Sequence, residues 1–240
     1  MRKKSVLVRL LSVLILFFVS PALVFLGYKY LDSTYYYISA VGIILLSLLP
    51  FFVSFEKRKI KTSEIVTVAV LVALSVSSRV LFAFVPQVKP MCAFVIISAI
   101  AFGENVGFVV GATAVFVSNF AFGQGMFTPF QMLGMGLVGF LCGVIFYRKK
   151  ASKSKVAVSL VGALLTFFVY GFVVDTCSVL MTVNDYTVKS VAAVYASGVV
   201  FNLIHAVSTG IFLLIMSKPM NDKLSRLNIK YGIFAETEDT

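Results

Sequence analysis

The chain has 240 residues, is 60% hydrophobic and 13% charged, and has a mean hydropathy of +1.00. That is more apolar surface than a soluble core of this length can bury. Its net charge of +11 lies in short clusters between apolar runs, not on one polar face, which argues against nucleic-acid binding. The apolar runs are continuous and not alternating, which favours membrane helices over a barrel. The expected class is an all-α integral membrane protein.

Eight spans are expected, at about 6–27, 35–55, 62–85, 89–104, 105–121, 128–147, 156–182 and 187–216. Most are long enough to cross a hydrocarbon layer of about 30 Å. The first two form a hairpin, residues 1–55, with hardly a polar atom inside its spans, suited to anchoring or packing. Its basic start and apolar core would also suit a signal peptide. The long core, with no A-x-A-like site after it, favours a retained span. Tyr28, Tyr30, Tyr35, Tyr36 and Tyr37 cluster around the first outer loop, where an interfacial belt is expected in a chain without Trp.

The basic linker EKRKIK (56–61) leads into six further spans, a unit over residues 56–217. The polar segment 218–240 is expected to be a cytoplasmic tail, disordered at its acidic end, ETEDT. With the N-terminus in the cytoplasm, the inner segments collect 17 of the 21 Lys and Arg residues. Only Lys29, Arg79, Lys89 and Lys189 fall in the outer half. That asymmetry supports an even span count and cytoplasmic termini, and the inner clusters are expected to touch anionic lipid.

Three stripes of small residues mark close helix approaches. Ala69, Ala73 and Ser77 lie four apart on the third span and would pack inside the protein or dock a separate membrane partner. Gly103, Gly107 and Gly111 on the fifth span, with Gly139 and Gly143 on the sixth, are expected to serve internal packing. Cys92, Cys142 and Cys177 lie in apolar runs at no metal-ligand spacing and read as small core residues. Glu104 is expected to cap a short inner turn.

Polar residues inside spans carry most of the functional signal, because a charge at a helix centre costs at least about 2.5–3.5 kcal/mol. Arg79 lies near the outer end of the third span and Asp175 in the outer half of the seventh. They would either pair with each other or face a ligand. Lys89, beside Gln87 and between Pro86 and Pro90, would snorkel to the interface or reach a ligand. Asn119, Gln124, Thr128 and Gln131 flank an uncharged loop carrying Phe120, Phe122, Phe127 and Phe130. Asn202 and His205 share one face of the last span. Together these residues suggest an outward-facing polar pocket with flat apolar contacts for a ring system, capped by the 120–131 loop.

Catalytic patterns are missing. The sequence has one His, no HExxH, no GxSxG elbow, no paired-Glu protease pattern and no repeated Asp cluster. No Gly-rich Walker loop is present, so the chain does not itself hydrolyse ATP. Binding is therefore expected rather than catalysis, with no cofactor and no metal. The alternatives are a solitary secondary transporter or channel, which the lack of an internal repeat disfavours, and a membrane enzyme acting on a lipid or prenyl group.

The pattern Arg79 … VPQVKP … AFG-x3-GFVVGA … SN-x3-GQG-x-x-TP-x-QM-x3-GL-x-G resembles the substrate-binding S components of energy-coupling factor (ECF) vitamin transporters. The likeness covers residues 62–216 and is most specific over 118–139. It implies a six-helix S-component bundle, to which the first hairpin is an addition. It also implies capture of a vitamin or precursor from outside, docking on a transmembrane T component, and toppling powered by two ATPase subunits. Ala69 and Ala73 fall on the family's AxxxA docking motif. The family's loop reads closer to GQG-P-W-T-P-W-Q. This chain has Met126 for the Pro, and Phe127 and Phe130 for the two Trp. Within the resemblance, that loop points first to cobalamin-type S components.

Overall fold

A computed structural model describes residues 61–86, 88–183 and 186–233. The chain divides into two compact units, Met1–Arg58 and Lys59–Thr240, and the described residues all belong to the second. The expected hairpin at 1–55, Gln87 and the acidic end therefore lie outside the described residues.

Among the described residues this unit has no strand, a short 3-10 turn at Lys150–Lys153 and six main helices. They are α1 (Thr62–Leu81), α2 (Met91–Phe102), α3 (Glu104–Phe122), α4 (Thr128–Phe146), α5 (Lys155–Thr182) and α6 (Val188–Tyr231). All but α2 are long and apolar enough to cross a membrane. The protein is thus an all-α membrane protein, as its apolar runs require.

The exception is informative. With 12 residues, α2 is about 18 Å long, too short to span the hydrocarbon alone. Every residue of it except Ala101 is buried. A helix that is apolar on all sides belongs inside a bundle, and α2 is the centre of this one. Pro90, with φ near −64°, starts the helix. Gly103, at φ 101°, ends it and opens α3 with no intervening residue, a reversal that a side chain would strain.

Against α2 pack α3 and α4, whose backbones nearly touch. A Cβ on Gly107 would lie 2.8 Å from the Gly139 carbonyl oxygen, and one on Gly111 would lie 2.7 Å from that of Met135. A Cβ on Gly143 would run into the Glu104 backbone. Both glycine stripes thus serve internal packing, the driving term for helix association in lipid.

Two features of the later helices go beyond what hydropathy predicts. Within α5, a π-helical turn occupies Thr166–Tyr170. The last helix, α6, has 44 residues, about 66 Å, and runs on through Pro219 to Tyr231, well past the expected end of the span at 216. Hydropathy falls after Lys218, but good helix formers continue, among them Met220, Lys223, Leu224, Arg226 and Leu227. Leu224 is buried, and Gly232 closes the helix in the left-handed conformation. Its carbonyl accepts a hydrogen bond from Lys61 Nζ at 3.1 Å.

Candidate functional site

A cavity of about 370 Å³ opens between α5 and α6, with contributions from α4 and the α1–α2 loop. Its α5 wall is Tyr170, Val174, Asp175 and Ser178. Residues 170, 174 and 178 are four apart and stack on one helix face. The π turn ends at Tyr170 and so sets that face, and such turns recur at functional sites.

The α6 wall follows the same helical logic. Val194, Ser197, Gly198, Phe201, Asn202 and His205 recur every three or four residues. Two glycines let the helices meet here. A Cβ on Gly198 would collide with the Asp175 carboxylate, and one on Gly171 would lie 2.8 Å from the Asn202 amide. In the space so kept, Asn202 Nδ2 donates to Asp175 Oδ2 at 2.7 Å.

The His205 ring stands edge-on to the Tyr170 ring, with centroids 5.1 Å apart at 86°. His205 is 5% exposed, and its Nε2 has no hydrogen-bond partner among the described residues. Asp175 is likewise buried, and the hydrogen bond it accepts comes from a neutral amide. Both side chains line the cavity with hydrogen-bonding capacity left for a guest. Lys89 and Gln131 complete the rim with further hydrogen-bond donors.

Beside the cavity lies a hydrogen-bonded network centred on Asn119, which is completely buried. Arg79 Nη1 donates to Ser118 Oγ and, at 2.8 Å, to Asn119 Oδ1. Asn119 Nδ2 donates to Thr128 Oγ1 at 3.1 Å and to Gln131 Oε1 at 3.0 Å. Thr128 in turn donates to Gln124 Oε1, and Gln124 Nε2 donates to the Phe116 carbonyl at 2.9 Å. The Arg79 guanidinium also sits over the Phe122 ring, 4.6 Å from its centroid. The network offsets the cost of a charge at this depth and ties the 123–127 loop to the end of α3.

The sequence-expected residues thus divide into two groups. Lys89, Gln131, Asp175, Asn202 and His205 line one cavity. Arg79, Asn119 and Gln124 belong to the adjoining network and reach the cavity through Gln131. Phe127 packs at the loop near Gly125 and Phe130 is buried; neither lines the cavity. The choice left open for Arg79 and Asp175 resolves against a pair, since their hydrogen bonds go to Ser118 and Asn119 in one case and Asn202 in the other.

Tyr170, Val174, Ser178, Val194, Ser197, Gly198 and Phe201 also line the cavity, although none of them stands out in the sequence. The available signal is the pair of small residues, Ser197 and Gly198, one turn before Asn202. Among the described residues no His, Cys, Asp and Glu cluster could hold a metal ion.

A second concavity, about 550 Å³, is an apolar groove on α1 and α3. Ala69, Ala73 and Ser77 form its floor, with Ile65, Val72, Thr113 and Val117 around them. Ala69, Ala73 and Ser77 are exposed, so this stripe, unlike the glycine stripes, is not consumed by packing within the unit.

A family model described as "ECF-type riboflavin transporter, S component" matches residues 59–222, which take in all six helices up to the outer part of the α6 extension. No curated protein and no solved structure matches the chain.

Proposed function

This chain belongs to the family of ECF-type riboflavin transporter S components, and we propose that it captures riboflavin or a closely related flavin from outside the cell. An S component is part of a transporter and not an enzyme. The observation that carries the substrate reading is the family match over the residues that build the cavity. The cavity's chemistry supports it. Tyr170 and Phe201 offer aromatic walls to a planar ring system. Asp175, Asn202 and His205 face a ring edge that carries both donors and acceptors. Lys89 and Gln131 supply further donors at the rim.

The cobalamin-type reading of the loop gives way to this one. The matching family is of riboflavin type, and a cavity of about 370 Å³ suits a tricyclic ring with a short polyol and not a corrin macrocycle. Phe127 and Phe130, the loop positions behind the cobalamin expectation, lie away from the cavity wall.

In this proposal the groove over Ala69 and Ala73 receives a helix of a transmembrane T component, and two separate ATPase subunits supply the energy that a chain without a Walker loop cannot. The asymmetry of the basic clusters supports cytoplasmic termini in this proposal.

Mass spectrometry of small molecules carried through purification in mild detergent tests the substrate reading. A flavin is expected in stoichiometric amount, released on denaturation. A different vitamin retained in its place, or none retained and none bound from a vitamin panel, would overturn it.

A further inference from the structure

The network around Asn119 imposes a direction on every hydrogen bond in it, and that direction ends inside the cavity. Arg79 can only donate. The Ser118 hydroxyl gives its proton to the Val115 carbonyl at 3.0 Å, so it meets Arg79 with a lone pair. Asn119 must therefore turn its Oδ1 to Arg79 and its Nδ2 away. The far end agrees independently. The Phe116 carbonyl can only accept, so Gln124 points its NH2 there and its oxygen at Thr128. The Thr128 hydroxyl then spends its proton on Gln124 and must accept from Asn119. Both protons of the Asn119 amide are thus committed, one of them to Gln131 Oε1.

One group is left over. With its oxygen held by Asn119, Gln131 has only its Nε2 to offer, and Gln131 lines the cavity. An amide that could otherwise face a ligand with either end is locked as a donor. We infer that Gln131 is a specificity-determining residue that recognises a hydrogen-bond acceptor on the ligand, and that Asn119 is the positioning residue that fixes its polarity. The inference rests on the flavin reading of the cavity, since a flavin carries two ring carbonyls as acceptors. A donor that cannot flip selects an acceptor such as a carbonyl and rejects an N–H presented at the same point.

Asn119→Asp tests this with little steric change. It keeps an acceptor for Arg79 but removes the donor to Gln131, so the Gln131 amide turns over and its oxygen faces the cavity. Riboflavin affinity is measured on the folded fraction of wild type, Asn119→Asp, Gln131→Ala and the double variant, together with the 2-thio and 4-thio analogues, whose sulfur is a weaker acceptor. Each single variant is expected to lose about tenfold in affinity, the size of one lost hydrogen bond. The double variant is expected to be no worse than Gln131→Ala alone. Wild type should disfavour one of the two thio analogues, and both variants should lose that preference.

Additive losses in the double variant, or a thio preference that survives Gln131→Ala, would overturn the inference while leaving the flavin reading intact. Wild type that binds no flavin would remove both together. Should Asn119→Asp fail to fold, the analogue series on Gln131→Ala decides the question alone.

Discussion

Gly139→Leu is expected to leave no folded protein to purify. The α3–α4 contact is the most extensive in the unit, and a Cβ on Gly139 would meet the carbonyl of Gly107 and then Val95. The first obstacle is backbone, so no rotamer change relieves it, and the helices must separate along their length. Gly111 at the Met135 carbonyl and Gly143 at Glu104 would lose their close approach in the same movement. Overpacking a well-filled site costs about 1–3 kcal/mol, and here the lost backbone contact adds to it in a bilayer where packing drives association. The check is size-exclusion chromatography in detergent, scored for a monodisperse peak. Gly123→Ala is the comparison, because nothing lies within 4 Å of a Cβ there and only its positive φ resists substitution. A Gly139→Leu protein as monodisperse and heat-resistant as wild type would refute the packing account.

Replacing Ala69 and Ala73 together with Leu is expected to abolish uptake while sparing substrate binding. Both side chains face outward from α1 onto the apolar groove, so larger residues disturb nothing inside the described unit. They would fill the space that a partner helix needs. A loss of docking worth about 1.4 kcal/mol lowers the docked population about tenfold when docking is weak. The uptake of labelled substrate by cells carrying the complete transporter should fall at least that far. Substrate affinity of the isolated variant should stay within about twofold of wild type. Unchanged uptake would show that the groove is not the docking face. Lost binding in a well-folded variant would show that α1 serves the substrate site instead.

The helices are legible in the sequence because lipid makes the rule simple: a continuous apolar run must become a helix. All six runs from residue 62 onward are helices, and most keep within a few residues of their expected bounds. Two exceptions have physical causes. Hydropathy cannot tell a helix that crosses lipid from one buried in protein, and α2 is the second kind. It also cannot see a helix that leaves the membrane, which is why the helical segment Lys218–Tyr231 looks like a tail in the sequence.

The cavity is half legible for a related reason. Lys89, Gln131, Asp175, Asn202 and His205 stand out as polar residues in apolar surroundings. Tyr170, Val174, Val194 and Phe201 do not, because an apolar lining residue looks like any other apolar residue until the facing of α5 and α6 is known. That facing depends on the π turn at Thr166–Tyr170 and on two glycines, Gly171 and Gly198, that admit the Asp175–Asn202 pair. The 120–131 loop misleads in the opposite sense. Its amides look available, yet Gln124 is spent on the Phe116 carbonyl and on Thr128. The loop meets the cavity through Gln131, which Asn119 holds, while Phe127 and Phe130 do not line it.

Titration of riboflavin into the purified protein, followed by quenching of flavin fluorescence, decides whether this chain captures a flavin. Saturable binding of one flavin per chain is expected, with a Kd at or below about 1 μM, some 8 kcal/mol of binding free energy. Absence of saturable quenching at a protein concentration of about 50 μM, well above that Kd, would contradict it.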